Sequence, residues 1–162
     1  MGYYACVFGI IAWSDAACTI TNPASYQRCM NQYKADDEIF FFPKKLTSDM
    51  KNISFIDRVG VLQADGLTVL GYETTAEEVA RYKERYKDKA LVCLNYEETL
   101  PGREHDEYLV CNNARLLAKG DPSDYEVLVM SYDENLESPY PYMSGILLSE
   151  KQKQLIFFML CP

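Results

Sequence analysis

The sequence predicts one α+β domain over residues 1–162, with a mainly antiparallel sheet of about six to eight strands and two helices packed on one face. Three observations favour this fold. Segments with strand character outnumber segments with helical periodicity. One connection carries the Asp-Gly turn signal of an antiparallel hairpin. The length and the apolar content, about half of all residues, suit a single core.

The first part of the chain predicts a strand followed by a helix. Tyr3–Trp13 is rich in aromatic and β-branched residues, which is typical of a long strand. Asn22 is a suitable helix cap and Pro23 suits a first turn, so a helix is expected from there to about Asp36. Its apolar residues recur at helical spacing and should face the core: Tyr26, Cys29, Met30 and Tyr33.

The next segments predict strands and the clearest hairpin of the chain. "EIFFFP" reads as a short strand that ends at Pro43. "ISFIDRVGVLQADGLTVLGYE" contains two β-rich runs on either side of Ala64-Asp65-Gly66. Asp-Gly is a strong hairpin signal, so these two runs should pair antiparallel.

A second helix is predicted to begin at Thr74, because Glu77 follows three residues later as in a capping box. Val79, Tyr82 and Tyr86 should form its buried stripe. Three strands are then expected in "ALVCLNYEE", "DEYLVCNNARLLAKG" and "YEVLVMSYD", the first two joined by an acidic loop.

The C-terminal segment "SGILLSEKQKQLIFFMLCP" fits two structures. One is a hairpin that turns at Glu150 to Lys153, and the other is a final helix capped by Ser149; the hairpin is favoured. In either case "FFML" requires burial, so the C-terminal segment should dock into the fold.

The negative charge of the chain is concentrated in one region. The formal net charge is −8, and residues 97–137 hold eleven acidic and three basic residues, which accounts for the whole excess. Such a distribution argues against nucleic acid or an anionic membrane as a direct partner. It is compatible with a solvated acidic face or with a surface for a basic protein partner.

No catalytic or metal-binding motif accompanies this charge. The six cysteines form no C-x-x-C pair, and the only histidine, His105, completes no zinc set of normal spacing. No glycine-rich phosphate loop is present. We therefore expect no cofactor and no metal. The apolar N-terminal segment lacks a basic region ahead of it and contains Asp15, unlike a signal peptide, which predicts a cytoplasmic protein with reduced thiols.

Tyrosine is the other excess, with 13 residues in the chain. The stretch "DPSDYEVLVMSYDENLESPYPY", residues 121–142, holds six acidic residues and four tyrosines but no Lys or Arg. Tyrosine is enriched at protein interfaces, and surrounding acids steer a basic partner. Together with the loop 97–107, this stretch predicts a partner-binding surface, with these residues as candidates: Glu104, Asp106, Asp124, Tyr132, Asp133, Glu134, Tyr140 and Tyr142.

In size, charge and lack of a catalytic motif, the chain resembles small acidic inhibitors of bacterial competition and phage defence, such as toxin-immunity and anti-CRISPR-type proteins. The likeness implies an inhibitor that occupies the basic surface of a toxin, a nuclease or another nucleic-acid-binding effector. It carries no residue assignments. Two alternatives remain. One is a small enzyme with a site around His105 and either a cysteine, Cys93 or Cys111, or a carboxylate. The other is an accessory assembly subunit that pairs through its apolar tail.

Overall fold

The computed structural model describes residues 19–31, 33, 39–58, 66–96, 112–132 and 142–161, and it has the predicted α+β fold. Its centre is one seven-stranded antiparallel sheet with the strand order β1-β2-β3-β7-β6-β5-β4. The strands are β1 Thr19–Ile20, β2 Lys51–Arg58, β3 Gly66–Glu73, β4 Val92–Asn95, β5 Glu126–Tyr132, β6 Met143–Ser149 and β7 Gln154–Cys161. The α-helices are α1 Tyr26–Met30, α2 Ala76–Tyr86 and α3 Asn112–Leu117.

Both predicted hairpins are confirmed. β2 pairs with β3 from Lys51↔Glu73 to Arg58↔Leu67, and β6 pairs with β7 from Ser149↔Gln154 to Met143↔Leu160. The C-terminal segment is therefore a hairpin with its turn at Glu150–Lys153, as the sequence favoured. Ala64 and Asp65 of the first turn, and the strand predicted over Tyr3–Trp13, lie outside the described residues.

β7 lies in the middle of the sheet, between β3 and β6. Its residues alternate between the two faces: Phe157 belongs to the apolar cluster on one face and Phe158 to the cluster on the other. Both side chains are completely buried, so the predicted docking of the tail is confirmed. Because both edges of β7 are hydrogen-bonded within the chain, the tail cannot add a strand to another molecule.

The first face, defined by Phe157, is covered by α1 and α2, which agrees with the two helices predicted on one face. Asn22 accepts a hydrogen bond from the Ala24 amide at 3.0 Å and opens a 3₁₀ turn that leads into α1. The helix ends at Met30, earlier than the predicted end near Asp36. Tyr33 lies beyond it and donates a hydrogen bond to Asp57, a tertiary contact that the helical spacing alone does not reveal.

The start of α2 differs from the prediction by one residue. Thr75 is the cap and accepts a hydrogen bond from the Glu78 amide at 3.2 Å, so the Thr-x-x-Glu capping pattern is met one position later than Thr74 and Glu77. The predicted stripe is confirmed, because Val79 and Tyr86 are buried and Tyr82 packs against them as a half-buried residue.

Two predicted strands are wrong in the parts that the structure describes. "EIFFFP" is not a strand in its described part, 39–43: a turn closes there with a hydrogen bond from the Phe42 amide to the Ile39 carbonyl at 3.0 Å. Phe41 and Phe42 are buried by packing on Phe157, which explains their apolar character without a sheet. In the second case, the part 112–117 of "DEYLVCNNARLLAKG" forms α3, whose Ala114 and Leu117 pack on the second face, defined by Phe158.

Gly145 on β6 permits the close packing of the second face. A Cβ atom at this position would lie 2.5 Å from the Leu128 carbonyl oxygen and 2.7 Å from the Phe158 ring. Since a Cβ atom cannot come this close to a carbonyl oxygen or a ring carbon without repulsion, the missing side chain is what lets Phe158 pack this closely against β6.

Phe157 is the centre of the aromatic packing on the first face. Its ring centroid lies 5.5 Å from Phe42, 5.6 Å from Tyr82 and 5.9 Å from Tyr72. Replacing it with Ala is expected to lower the free energy of unfolding by about 3–5 kcal/mol, because the cavity left in the core cannot collapse fully. Urea denaturation of the purified protein measures this difference.

The matched control is the same truncation at Phe40, which is 47% exposed. It is expected to cost about 1 kcal/mol, because little apolar area leaves the core. Equal losses for the two variants would contradict the central place given to Phe157.

Candidate functional site

The two acidic segments of the chain start from opposite ends of the sheet. The segment 97–111 follows β4, whose last residue Asn95 pairs with Glu126 at the start of β5. The segment 133–141 follows Tyr132 at the other end of β5 and returns to Met143. These two attachment points are separated by about 20 Å, the length of a seven-residue strand. The end of the sheet where segment 97–111 starts is called the Glu150 end, because the β6–β7 turn lies there. The end where segment 133–141 starts is called the Met143 end.

The described acids between these segments all have partners within the fold. Asp121 accepts hydrogen bonds from the Ser123 amide at 3.0 Å and from the Ser123 hydroxyl at 2.8 Å. Glu126 forms an ion pair with Lys83 of α2 at 2.5 Å. Their carboxylates therefore help to hold the 3₁₀ turn Pro122–Asp124 and the start of β5 in place.

Asp124, one of the predicted partner-binding residues, ties this turn to the β6–β7 turn. Its carboxylate accepts hydrogen bonds from Lys151 Nζ and Gln152 Nε2, both at 2.7 Å. Its side chain is only 11% exposed. The hydrogen bonds from Lys151 and Gln152 hold the pKa of Asp124 below its ordinary value. The geometry thus gives Asp124 a structural role at the Glu150 end.

Tyr132 and Tyr142, two further candidates, lie on opposite faces at the Met143 end. A bulge in β5 between Val129 and Ser131 places Ser131 opposite Ser144, and their hydroxyls are 2.6 Å apart. The bulge reverses the alternation of the strand, so that Tyr132 packs with the second-face cluster. Tyr142 packs against the first-face cluster. Both rings are half-buried.

The remaining candidates lie outside the described residues. These are Glu104, Asp106, Asp133, Glu134 and Tyr140. The same holds for His105, so the structure does not place it relative to Cys93, whose side chain is exposed on β4.

A buried polar cluster that the sequence did not reveal joins β2, β3 and the segment after α1. Asp57 is 1% exposed. Its Oδ1 accepts hydrogen bonds from Thr68 Oγ1 at 2.8 Å and from the Tyr33 hydroxyl at 2.9 Å. Burial, together with the nearby Asp57, raises the pKa of the Cys29 thiol. A buried thiol of raised pKa is a poor nucleophile, so this cluster is suited to stabilising the fold.

A cleft that the sequence also did not reveal lies between the loop 43–50 and α2. Its volume is about 240 Å³. The residues that line it include Tyr72, Tyr82, Lys44, Lys45, Arg81, Asp49 and Glu78. No local pattern could have indicated it, because the β2–β3 hairpin separates the two lining segments in the sequence and they meet only after folding.

Within the described ranges, no three His, Cys, Asp or Glu side chains are grouped so that they could hold a metal ion. None of the helices formed by these residues combines the length and apolarity needed to span a membrane. Comparison with protein-family models, curated proteins and solved structures found no match to this chain. The geometry and charge of the chain itself are therefore the basis for inferring its function.

Asp124→Asn is expected to lower the free energy of unfolding at neutral pH. The folded-state pKa of Asp124 is lowered, so its charged form adds stability above the ordinary pKa of Asp, about 3.9. That contribution is lost as the pH falls through the folded-state pKa. The difference between variant and wild type should therefore shrink below about pH 4. Urea unfolding over a pH series measures it.

Glu150→Gln serves as the control, because it removes a charge from the same exposed turn and leaves the contacts of Lys151 and Gln152 in place. It is expected to change stability by less than about 0.5 kcal/mol. If Asp124→Asn behaves like this control at every pH, the structural role of Asp124 is wrong.

Proposed function

We propose that the protein is a small acidic inhibitor that binds a basic protein partner and occupies the surface with which that partner binds phosphates. A toxin, a nuclease or another nucleic-acid-binding effector has the required chemistry. A patch of Lys and Arg that attracts a nucleic-acid backbone also attracts a surface of carboxylates.

The observation that carries this proposal is where the net negative charge lies along the chain. Asp121, Asp124 and Glu126 are bonded within the fold, as described above. Most of the net charge of the sequence belongs to the two segments that follow β4 and β5. Segment 97–111 has five acidic residues and one Arg, and segment 133–141 has three acidic residues and no base.

The Met143 end suits the centre of such an interface best. Tyr132 and Tyr142 flank the segment 133–141 and lie on the two faces of the sheet, so they bracket this end from both sides. Asp133, Glu134 and Tyr140 belong to that segment. Tyrosine supplies a large contact area at a low entropy cost, and the neighbouring carboxylates accelerate the encounter with a basic protein. Glu104 and Asp106 add charge from the other segment.

The first experiment is affinity capture of the tagged protein from lysates of the native host and of competing bacteria, washed at low and at moderate salt. A single basic protein, retained at low salt and weakened at moderate salt, is expected. Purified in turn, that partner should lose nuclease or nucleic-acid-binding activity when this protein is added. A captured protein whose activity is unaffected would contradict the inhibitor function.

Asp133→Asn/Glu134→Gln/Glu137→Gln is expected to slow association with the captured partner by about tenfold at low salt, because three steering charges are removed. The matched control is Glu104→Gln/Asp106→Asn/Glu107→Gln, which removes three charges from the other segment and should have a smaller effect. Surface plasmon resonance at two salt concentrations measures both, and thermal unfolding monitors the integrity of the fold.

Two results of this comparison would count against the proposal. Equal slowing by both variants would mean that only the total charge acts, and the Met143 end would lose its assignment. Unchanged association for both would show that the acidic segments do not contact the partner.

A further inference from the structure

Exposed apolar and cationic side chains meet where α2 ends and the chain turns into β4. Phe40 is 47% exposed and Leu91 is 66% exposed, which makes them two of the three large hydrophobic side chains left exposed in the described ranges. Lys89, two residues before Leu91, places its Nζ 5.8 Å from the centroid of the Phe40 ring. These three residues and Arg85, on the last turn of α2, form the Lys89 patch.

Tyr86 is the buried base of the Lys89 patch. Its side chain is 4% exposed, and its ring centroid lies 6.0 Å from that of Phe40. Arg85 Cζ lies 5.2 Å from the Tyr86 centroid, and Lys89 Nζ lies 5.6 Å from it. Such cation–π contacts hold a long side chain against an aromatic surface while its charged group stays in water. Both cations are therefore positioned before a partner arrives, which lowers the entropy cost of binding.

Neither cation of the Lys89 patch is neutralised by the described part of the fold. Arg85 and Lys89 form no ion pair with a described carboxylate, whereas the other cations of α2 are paired: Arg81 with Glu78, Lys83 with Glu126 and Lys87 with Glu84. Asp88 is exposed nearby, but it acts on a different lysine: Glu84 and, to a smaller extent, Asp88 raise the pKa of Lys87. The patch is thus cationic, and carboxylates are the groups that complement it.

We propose that the Lys89 patch binds the acid-rich region of a second copy of this chain, residues 97–137. That region accounts for the whole net charge of −8, so the chain supplies both the cationic and the anionic side of the contact. Between two copies related by a two-fold axis, each patch meets the acid-rich region of the other, and the same contact is made twice. Phe40 and Leu91 add the apolar contact area that ion pairs alone lack. The inference does not rest on the proposed function, because it is tested with this protein alone.

Sedimentation velocity of the purified protein, over a range of concentrations at low and at moderate salt, tests the association. The wild type should form dimers at low salt and fewer at moderate salt, because the attraction between the patch and the acid-rich region is screened. Arg85→Gln/Lys89→Gln should raise the dimer dissociation constant by about tenfold, because both attractive cations are removed. Phe40→Ala/Leu91→Ala should raise it at both salt concentrations, because apolar contact is not screened by salt.

Each double variant has a matched control outside the patch. Lys44→Gln/Lys45→Gln removes two exposed cations and so changes the net charge by the same amount. Leu116→Ala truncates the third exposed hydrophobic side chain, which lies on α3. Both controls should dimerise like the wild type. Equal weakening by a variant and its control would overturn the proposal, as would a wild-type protein that stays monomeric at every concentration.

A carbodiimide cross-link identifies what the patch binds. The reagent joins a lysine amine to a carboxylate in contact with it, and in a mixture of unlabelled and isotope-labelled protein a link between two copies contains both forms. Mass spectrometry should find such a mixed link from Lys89 to an acidic residue of 97–137. Mixed links that start only from other lysines, or that reach only acids outside this region, would overturn the proposal.

Discussion

The placement of β7 between β3 and β6 is the constraint on which the rest of the structure depends. β7 pairs with β3 from Gln154 to Cys161 and with β6 from Gln154 to Leu160, so the last strand of the chain joins the N-terminal strands to the C-terminal ones. Its side chains alternate between the two apolar clusters, with Phe157 at the centre of one and Phe158 in the other. A strand buried on both faces needs a continuous apolar sequence, which is what "LIFFML" supplies. The two faces can be completed only when this strand is in place.

The parts of the fold that were predicted correctly have local signals. The hairpin of β6 and β7 has apolar runs separated by a short polar turn, and the hairpin of β2 and β3 has an Asp-Gly signal. The wrong predictions concern short apolar segments. Phe41 and Phe42 of "EIFFFP" are buried against Phe157, and Ala114 and Leu117 of α3 pack on the second face. A short apolar run indicates that some of its residues are buried, but the neighbours that decide its conformation come from distant parts of the chain.

The candidate surface was less predictable than the fold, because it depends on strand direction and on individual side-chain contacts. Counting charges located the acidic region, but only the antiparallel pairing of β4 with β5 shows that its two segments start at opposite ends of the sheet. Nothing in the sequence distinguishes Asp124 from the other acidic residues. In the structure, however, its carboxylate accepts hydrogen bonds from Lys151 and Gln152 and so connects two turns. The bulge in β5 sends Tyr132 to the face opposite Tyr142, a reversal that no alternating pattern reveals.

The tyrosine excess has a physical explanation in the core. Tyr26, Tyr33 and Tyr125 each bury a ring against an apolar cluster while the hydroxyl binds a carbonyl or a carboxylate from another segment. A phenylalanine would fill the same space but would leave those oxygen acceptors without a donor. In this protein, tyrosine therefore joins irregular segments to the sheet, and a high tyrosine content alone does not indicate an interface. What distinguishes Tyr132 and Tyr142 is their half-buried position on either side of an acidic segment.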